Sequence, residues 1–132
     1  MTIVLDASTL VAALIDTGAH GRWAEALLAS ESLLAPHLLP VETTNILRRA
    51  VLAGNITQDV AALAHADISS LRIVYFAHEP FAQRVWELRF NVTSYDAWYV
   101  ALAEETEAPL ATLDVRLAQA VGPKCAFLRP PA

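Results

Sequence analysis

Short apolar runs alternate with longer segments of helical periodicity along this chain. The apolar runs predict strands at residues 2–6, 33–35, 72–76, 110–112 and 125–128. The segments between them repeat apolar residues three and four positions apart and predict helices at residues 8–15, 20–30, 38–53, 57–69, 80–90, 94–107 and 114–121. Strands that alternate with helices indicate a parallel sheet covered by helices on both faces. We therefore predict an α/β fold with three layers, α/β/α.

Several predicted helix boundaries have their own sequence signals. Pro40 suits a first helical turn, and Gly54 suits the position just past a helix end. Thr57 and Ser94 are predicted to cap the helices that follow them. Because no repeat and no linker divides the chain, all 132 residues are predicted to form a single domain. The Arg129–Ala132 tail is expected to be disordered.

Composition limits the classes of function. The chain holds 9 Lys and Arg against 14 Asp and Glu, a net charge of −5 with neutral histidine. This balance argues against a protein that coats nucleic acid through basic residues. The longest segment without a charged residue is Ser32–Val41, whereas a membrane-spanning helix needs about 20 apolar residues. Since the N-terminus lacks a basic signal region and Cys125 has no disulfide partner, we expect a soluble cytoplasmic protein that does not associate with membranes.

Four acidic residues fall where a parallel sheet usually binds its ligands. Asp6 ends the first predicted strand and Asp114 follows the fourth, while Glu42 and Asp96 lie in the first turns of two predicted helices. Ligand sites of such sheets lie beyond the carboxyl ends of the strands. Taken singly, each acid is well explained as a helix cap or as a complement to the helix dipole. If they converge, their mutual repulsion predicts a bound hard cation such as Mg²⁺.

Four segments around these acids resemble the motifs of one known family, the PIN domains. The segments are Ile3–Leu10, Val41–Arg49, Ser94–Ala103 and Ala111–Leu117. Each contains one of the four acids, and the resemblance extends over nearly the whole chain. The spacing and the chain length resemble those of the VapC-type toxins of bacterial and archaeal toxin–antitoxin pairs.

This resemblance implies a PIN-like fold with a five-stranded parallel sheet, and an endoribonuclease that depends on Mg²⁺ or, as a substitute, Mn²⁺. Carried over motif by motif, the catalytic and metal-binding acids are Asp6, Glu42, Asp96 and Asp114. Ser8 and Thr112 are implied as polar neighbours of the site. The resemblance also implies an RNA substrate and a cognate antitoxin protein. A homodimer is expected as well, because the high apolar content leaves helix surface to cover.

The remaining residue types favour metal-activated water over other routes of phosphodiester cleavage. No histidine lies beside an acidic motif, so a histidine pair that works through the RNA 2′-hydroxyl is not predicted. The chain also has no glycine-rich phosphate loop. A bound cation lowers the pKa of its water and stabilises the leaving oxygen. We therefore predict attack by water.

A few other polar and aromatic residues are candidates for supporting roles. Asn45 and Arg49 share a helix face with Glu42, so they either look toward the site or form a polar cluster within their own helix. Arg116, just beyond the last acid, is a candidate phosphate contact. Tyr95, at the start of a predicted helix, is a candidate for stacking on RNA.

Other functions come from different classes of protein. A phosphoacceptor receiver domain needs an acidic pair after its first strand, but Ala7 follows Asp6 here. A non-catalytic α/β binding module would be expected to lack acids, and all four are present. A PIN-like nuclease outside any toxin–antitoxin pair stays open, as does one that cuts DNA, since both would recognise phosphates.

Overall fold

Strands and helices alternate along the chain, and the computed structural model describes all 132 residues of it. The strands are β1 (Thr2–Leu5), β2 (Ser32–Pro36), β3 (Ile73–Phe76), β4 (Leu110–Ala111) and β5 (Phe127–Leu128). The helices are α1 (Ala7–Ile15), α2 (Ala19–Ser30), α3 (Leu38–Leu52), α4 (Gln58–Ser70), α5 (Ala82–Glu87), α6 (Ser94–Thr106) and α7 (Val115–Ala118). All five predicted strands are present, and each predicted helical segment contains a helix.

The strands form one parallel sheet in the order β3-β2-β1-β4-β5. At its centre, Val4 of β1 pairs with Leu34 of β2 on one side and with Leu110 of β4 on the other. Ile3, Val4 and Leu5 are fully buried, as expected for a strand covered on both faces. Because the chain builds the sheet outward from β1 in both directions, the carboxyl ends of β1 and β4 mark the switch point where such sheets bind ligands.

The helices pack in two groups. α1 contacts α2, α3 and α4, whereas α6 contacts α5 and lies on β1, β2 and β4. Leu39, Thr43 and Leu47 of α3 are buried at four-residue intervals, so this helix turns one stripe toward the core. The run Tyr99–Ala103 of α6 is buried on every side. A cluster of 24 buried residues joins both groups to the sheet, which confirms the predicted α/β class with a five-stranded parallel sheet.

Two predicted helices are shorter than expected. In place of one helix over residues 80–90, a 3₁₀ turn at Glu79–Phe81 leads into the short α5. The amide of Leu88 divides its hydrogen bond between the carbonyls of Arg84 and Val85, which tightens the last turn and ends the helix. The helix predicted over residues 114–121 is reduced to the single turn of α7.

One of the two predicted helix caps is displaced by a residue. Thr93, and not Ser94, caps α6: its hydroxyl accepts a hydrogen bond from the Asp96 amide at 3.1 Å. Thr57 caps α4 as predicted, since its hydroxyl accepts a hydrogen bond from the Val60 amide at 3.2 Å. Both caps satisfy an amide that the first helical turn would otherwise leave unpaired.

The start of α3 changes the setting of one candidate acid. α3 begins at Leu38, ahead of Pro40, so Glu42 lies in the second turn and not in the first as predicted. The helix dipole therefore favours the ionised form of Glu42 less than the sequence suggested. The predicted end of the helix is confirmed, because Gly54 follows it with a φ of 78°, a conformation that glycine adopts without strain.

None of the helices is both long and apolar enough to cross a membrane. Residues 129–132 form neither helix nor strand. Arg129 and Pro130 are half-buried all the same, and the disorder of this tail stays a prediction.

Candidate active site

The four acids singled out from the sequence line one cavity at the switch point of the sheet. Its volume is about 290 Å³. Asp6 directly follows β1 and Asp114 caps α7 just beyond β4, while Glu42 and Asp96 reach the cavity from α3 and α6. The other polar residues that line it are Ser8, Asn45 and Arg49. The fold thus brings together carboxylates that lie far apart in the chain, with 108 positions between Asp6 and Asp114.

Asp6 is held by hydroxyl groups from two directions. Thr112 donates a hydrogen bond to Asp6 Oδ2 at 2.5 Å, and Ser8 donates to the same oxygen at 2.9 Å. The Thr112 hydroxyl accepts a hydrogen bond from the Asp114 amide at 3.0 Å, and the Ser8 hydroxyl accepts one from the Leu113 amide at 3.1 Å. Asp6 is 5% exposed and Thr112 is fully buried. This network joins the carboxyl ends of β1 and β4 and fixes the Asp6 carboxylate in one orientation.

Glu42 is held by a residue that sequence reasoning missed. The hydroxyl of Tyr99, a fully buried side chain of α6, donates a hydrogen bond to Glu42 Oε1 at 2.9 Å. This contact ties α3 to α6 across the site. The sequence offers one signal that could have found it: Tyr99 lies three positions after Asp96, and residues at that spacing share a face of a helix.

Removing this hydroxyl tests whether it positions Glu42. In Tyr99→Phe the ring still fills the core, but Glu42 loses its donor, so we expect the RNA cleavage that the sequence motifs imply to fall roughly tenfold, the worth of one hydrogen bond to a charged group. The measurement is kcat and KM for cleavage, beside a thermal melt. Tyr75→Phe is the matched control, because Tyr75 is half-buried and its hydroxyl holds no site residue. Equal cleavage by the two variants would contradict a positioning role for Tyr99.

Burial and the charges of neighbouring acids raise the pKa values of Asp6, Glu42 and Asp96. Burial, followed by the charges of Asp6, Asp114 and Glu42, raises the pKa of Asp96 to about 6. Burial also raises the pKa of Asp6, although the hydrogen bonds from Thr112 and Ser8 oppose this. The pKa of Glu42 is raised by burial too, against the effect of its Tyr99 hydrogen bond. A cation bound among these groups would reverse the shifts, because it favours the ionised carboxylates.

The donor atoms of the cavity fit a hard divalent cation. The cavity lining offers carboxylate, hydroxyl and amide oxygens and has no histidine or cysteine, which is the donor set that Mg²⁺ and Mn²⁺ prefer. No three acidic, histidine or cysteine side chains are close enough to hold one ion directly. Mg²⁺ keeps several of its waters in proteins and binds through one or two carboxylates, so it suits a cavity in which the acids stand apart.

The other candidate residues fall at different distances from this cavity. Asn45 and Arg49 line it, as the helix periodicity allowed, although Asn45 also accepts a hydrogen bond from Arg48 at 3.4 Å. Arg116 lines a neighbouring cavity that also includes Asp96 and Asp114. Tyr95 is 63% exposed and lines neither cavity, so its stacking on RNA stays a prediction.

The sequence of the chain matches a known family. The family model described as the PIN domain matches residues 3–122. The chain belongs to the PIN domain family. Ribonuclease VapC1 of Mycobacterium tuberculosis is 42% identical to this PIN domain over 123 residues, which cover 92% of each chain.

Solved structures share the fold of this PIN domain. The crystal structure of PAE2754 from Pyrobaculum aerophilum matches with a TM-score of 0.72 at 23% identity, covering 96% of this chain and 83% of the other. The crystal structure of VapBC2 from Rickettsia felis, bound to a DNA fragment from its promoter, matches with a TM-score of 0.66 at 13% identity and covers 98% of each chain. These structures show the expected fold, and the family model and VapC1 confirm the family resemblance of the sequence.

Proposed function

We propose that this PIN domain is the endoribonuclease toxin of a toxin–antitoxin pair and cleaves RNA with the help of a divalent cation, Mg²⁺ or Mn²⁺. The class of enzyme follows from the relatives, because a protein 42% identical over 92% of both chains is a ribonuclease; the chain is accordingly a nuclease, a hydrolase of phosphodiester bonds. The proposal that cleavage depends on a divalent cation rests on one observation, the cavity lined by Asp6, Glu42, Asp96 and Asp114.

The chain itself supplies a fixed array of carboxylates. Asp6 is oriented by two hydroxyl donors and Glu42 by the hydroxyl of Tyr99. Asp114 is oriented by its own helix, since its Oδ1 accepts a hydrogen bond from the Leu117 amide at 3.2 Å. Groups that are oriented in advance need no reorganisation when charge develops in the reaction, which is the main way such sites stabilise a transition state.

The cation and the substrate complete this array. A divalent cation held by these carboxylates would lower the pKa of coordinated water and neutralise charge on the phosphate. Arg49 contributes a guanidinium to the same cavity, a group suited to phosphate oxygens. No histidine lines the cavity, so nothing there favours a histidine acid–base pair.

We further propose a homodimer and a cognate antitoxin as partners. Large apolar side chains are exposed on two helices and in the turn after α5: Leu52 of α3 at 71%, Leu63 of α4 at 69% and Phe90 at 83%. Contiguous apolar surface marks protein–protein contacts, and Leu52 lines an open, mostly apolar groove between α3 and α4. A sedimentation experiment that shows only monomer at micromolar concentration would remove the homodimer from the proposal.

The ends of the RNA products test the proposed chemistry. Attack by water should leave a 5′-phosphate on one fragment and a 3′-hydroxyl on the other, and EDTA should stop the reaction until Mg²⁺ or Mn²⁺ is added in excess. The measurement is mass spectrometry of fragments from a defined single-stranded RNA. A 2′,3′-cyclic phosphate would contradict the proposal, because it reports attack by the neighbouring 2′-hydroxyl. A DNA strand of the same sequence is the control, and equal cleavage of it would argue for a general nuclease.

A further inference from the structure

A second cavity adjoins the acid cavity. It has a volume of about 300 Å³, and both cavities are lined by Asp96 and Asp114. The remaining walls of the second cavity come from the turn between α5 and α6, which includes Asn91 and Val92, and from α7, which includes Arg116. The two cavities are therefore neighbours that share Asp96 and Asp114 as a common wall, and together we call them the cleft.

The second cavity carries one positive charge that the protein leaves without a partner. Arg116 is exposed, and its guanidinium is in none of the ion pairs of the chain. Arg84 shows the contrast, because its Nε and one terminal nitrogen bind Glu104 at 2.7 Å and 3.0 Å. Arg116 lines the same cavity as Asp96 and Asp114 and still stays beyond ion-pair distance of both. Space thus remains between the guanidinium and the carboxylates for a group that can bind both, directly or through a cation.

We propose that this second cavity binds the nucleotide next to the cleaved bond, with Arg116 on its phosphate. The proposal rests on the nuclease function proposed above. A phosphodiester has the chemistry that the space requires: its oxygens accept hydrogen bonds from a guanidinium on one side and can be bridged to carboxylates by a cation on the other. The partly buried Val92 and buried Leu117 add apolar surface for the sugar and base, and Asn91 adds an amide.

The positions of Arg49 and Arg116 indicate the path of the bound RNA strand. Arg49 lines the first cavity and Arg116 the second, and the shared acids lie between these cavities. A single RNA strand that occupies both cavities has phosphates at both guanidiniums and its cleaved bond at Asp96 and Asp114. The cleft therefore favours a phosphodiester bond inside an RNA strand, because a nucleotide can then occupy the cavity of Arg116. A small diester fills the acid cavity alone.

The test combines two variants with two substrates. Arg116→Ala removes the phosphate contact. Arg116→Lys keeps the positive charge but lacks the planar guanidinium, which can donate two parallel hydrogen bonds to a phosphate. Arg72→Ala is the matched control, since Arg72 is exposed, is in none of the ion pairs and precedes β3, at the sheet edge away from the site. Binding of a labelled single-stranded RNA is measured by anisotropy with Ca²⁺ in place of Mg²⁺. Cleavage of the same RNA is compared with hydrolysis of bis(p-nitrophenyl) phosphate in Mn²⁺.

We expect Arg116→Ala to bind RNA about tenfold more weakly than the parent, with a salt dependence less steep by about one phosphate contact. Arg116→Lys should recover part of the loss, and Arg72→Ala should bind as the parent does. The loss in kcat/KM should be about tenfold larger for RNA than for the small diester. Equal RNA binding by Arg116→Ala and Arg72→Ala would overturn the proposal. Failure of the parent to hydrolyse either substrate would instead count against the proposed function, and the binding comparison would still decide the role of Arg116.

Discussion

Asp96→Asn should reduce RNA cleavage by about a thousandfold and, at the same time, make the metal-free protein more stable at pH 7. The substitution removes one charge from a site in which burial and three neighbouring acids raise the pKa of Asp96 to about 6. Because Asp96 is partly exposed, solvent screening reduces the gain to about 1 kcal/mol. Cleavage kinetics in Mg²⁺ and denaturation in EDTA measure the two effects separately.

Asp59→Asn is the matched control for this prediction. Asp59 also lies in the first turn of a helix that a threonine caps, but it is exposed and does not line the acid cavity. Its loss should leave cleavage intact and cost about 0.5 kcal/mol of stability, because only the helix dipole is affected. The two variants are therefore expected to change stability in opposite directions. If Asp96→Asn still cleaves RNA, or destabilises the protein as Asp59→Asn does, Asp96 is a first-turn acid and not part of the site.

The raised pKa of Asp96 also predicts how stability depends on pH. In the unfolded chain an aspartate loses its proton near pH 4, whereas Asp96 in the folded protein keeps it until about pH 6. Between these values the folded state binds more protons, so the stability of the metal-free protein should fall as the pH rises through this window and then level off. Mg²⁺ binds the folded site, and at 100 times its dissociation constant it should add about 2.7 kcal/mol.

Thr112→Val should destabilise the protein by about 2 kcal/mol and lower cleavage by roughly 10- to 100-fold. The methyl group fits the space of the hydroxyl, but Asp6 loses its shorter hydrogen bond and the Asp114 amide loses its acceptor. Both groups then lack a hydrogen-bond partner. Water cannot easily replace it, because position 112 is fully buried. Chemical denaturation gives the change in free energy of unfolding, and RNA cleavage gives the change in activity.

Thr43→Val offers the same substitution without the same consequence. Thr43 is also fully buried, but its hydroxyl has no hydrogen-bond partner. Replacing an unpaired buried hydroxyl with a methyl group removes a desolvation cost, so we expect stability to stay the same or rise by about 1 kcal/mol. If the two variants lost stability equally, the hydrogen bonds of Thr112 would not be the cause.

The fold and the four acids were predictable because their signals are local. A buried parallel strand needs a continuous apolar run. Ile3-Val4-Leu5 is such a run, and it can be recognised without knowing the rest of the fold. The ligand site of a parallel sheet lies just after such runs, so the positions of Asp6 and Asp114 in the sequence are enough to make them candidates. Convergence of the four acids follows from the topology, which places them around one cavity. Their catalytic role stays a prediction.

What the sequence could not provide depends on contacts between distant segments. Tyr99 binds Glu42 across 57 positions, and the spacing of Tyr99 from Asp96 gives its helix face but not its partner on α3. Thr93 and Ser94 are both common caps, with serine the slightly better one by residue type, and the path of the incoming chain decides for Thr93. Hydrophobic periodicity also does not indicate the early end of α5. Leu88 is buried, as in a continuing helix, but its amide already donates to the carbonyl of Val85 in a tighter turn.

The hydrogen bond between Thr112 and Asp6 spans 106 positions, so the site forms only when both ends of the chain are present. A ribosome adds about 5–20 residues per second, which puts roughly 5–20 s between the synthesis of the first partner and that of the second. During that interval the growing chain has β1 without β4 and Asp6 without Thr112 and Asp114, so the acid cavity is incomplete. A chain released before residue 112 never acquires this cavity, so under the proposed function we expect it to be inactive toward RNA.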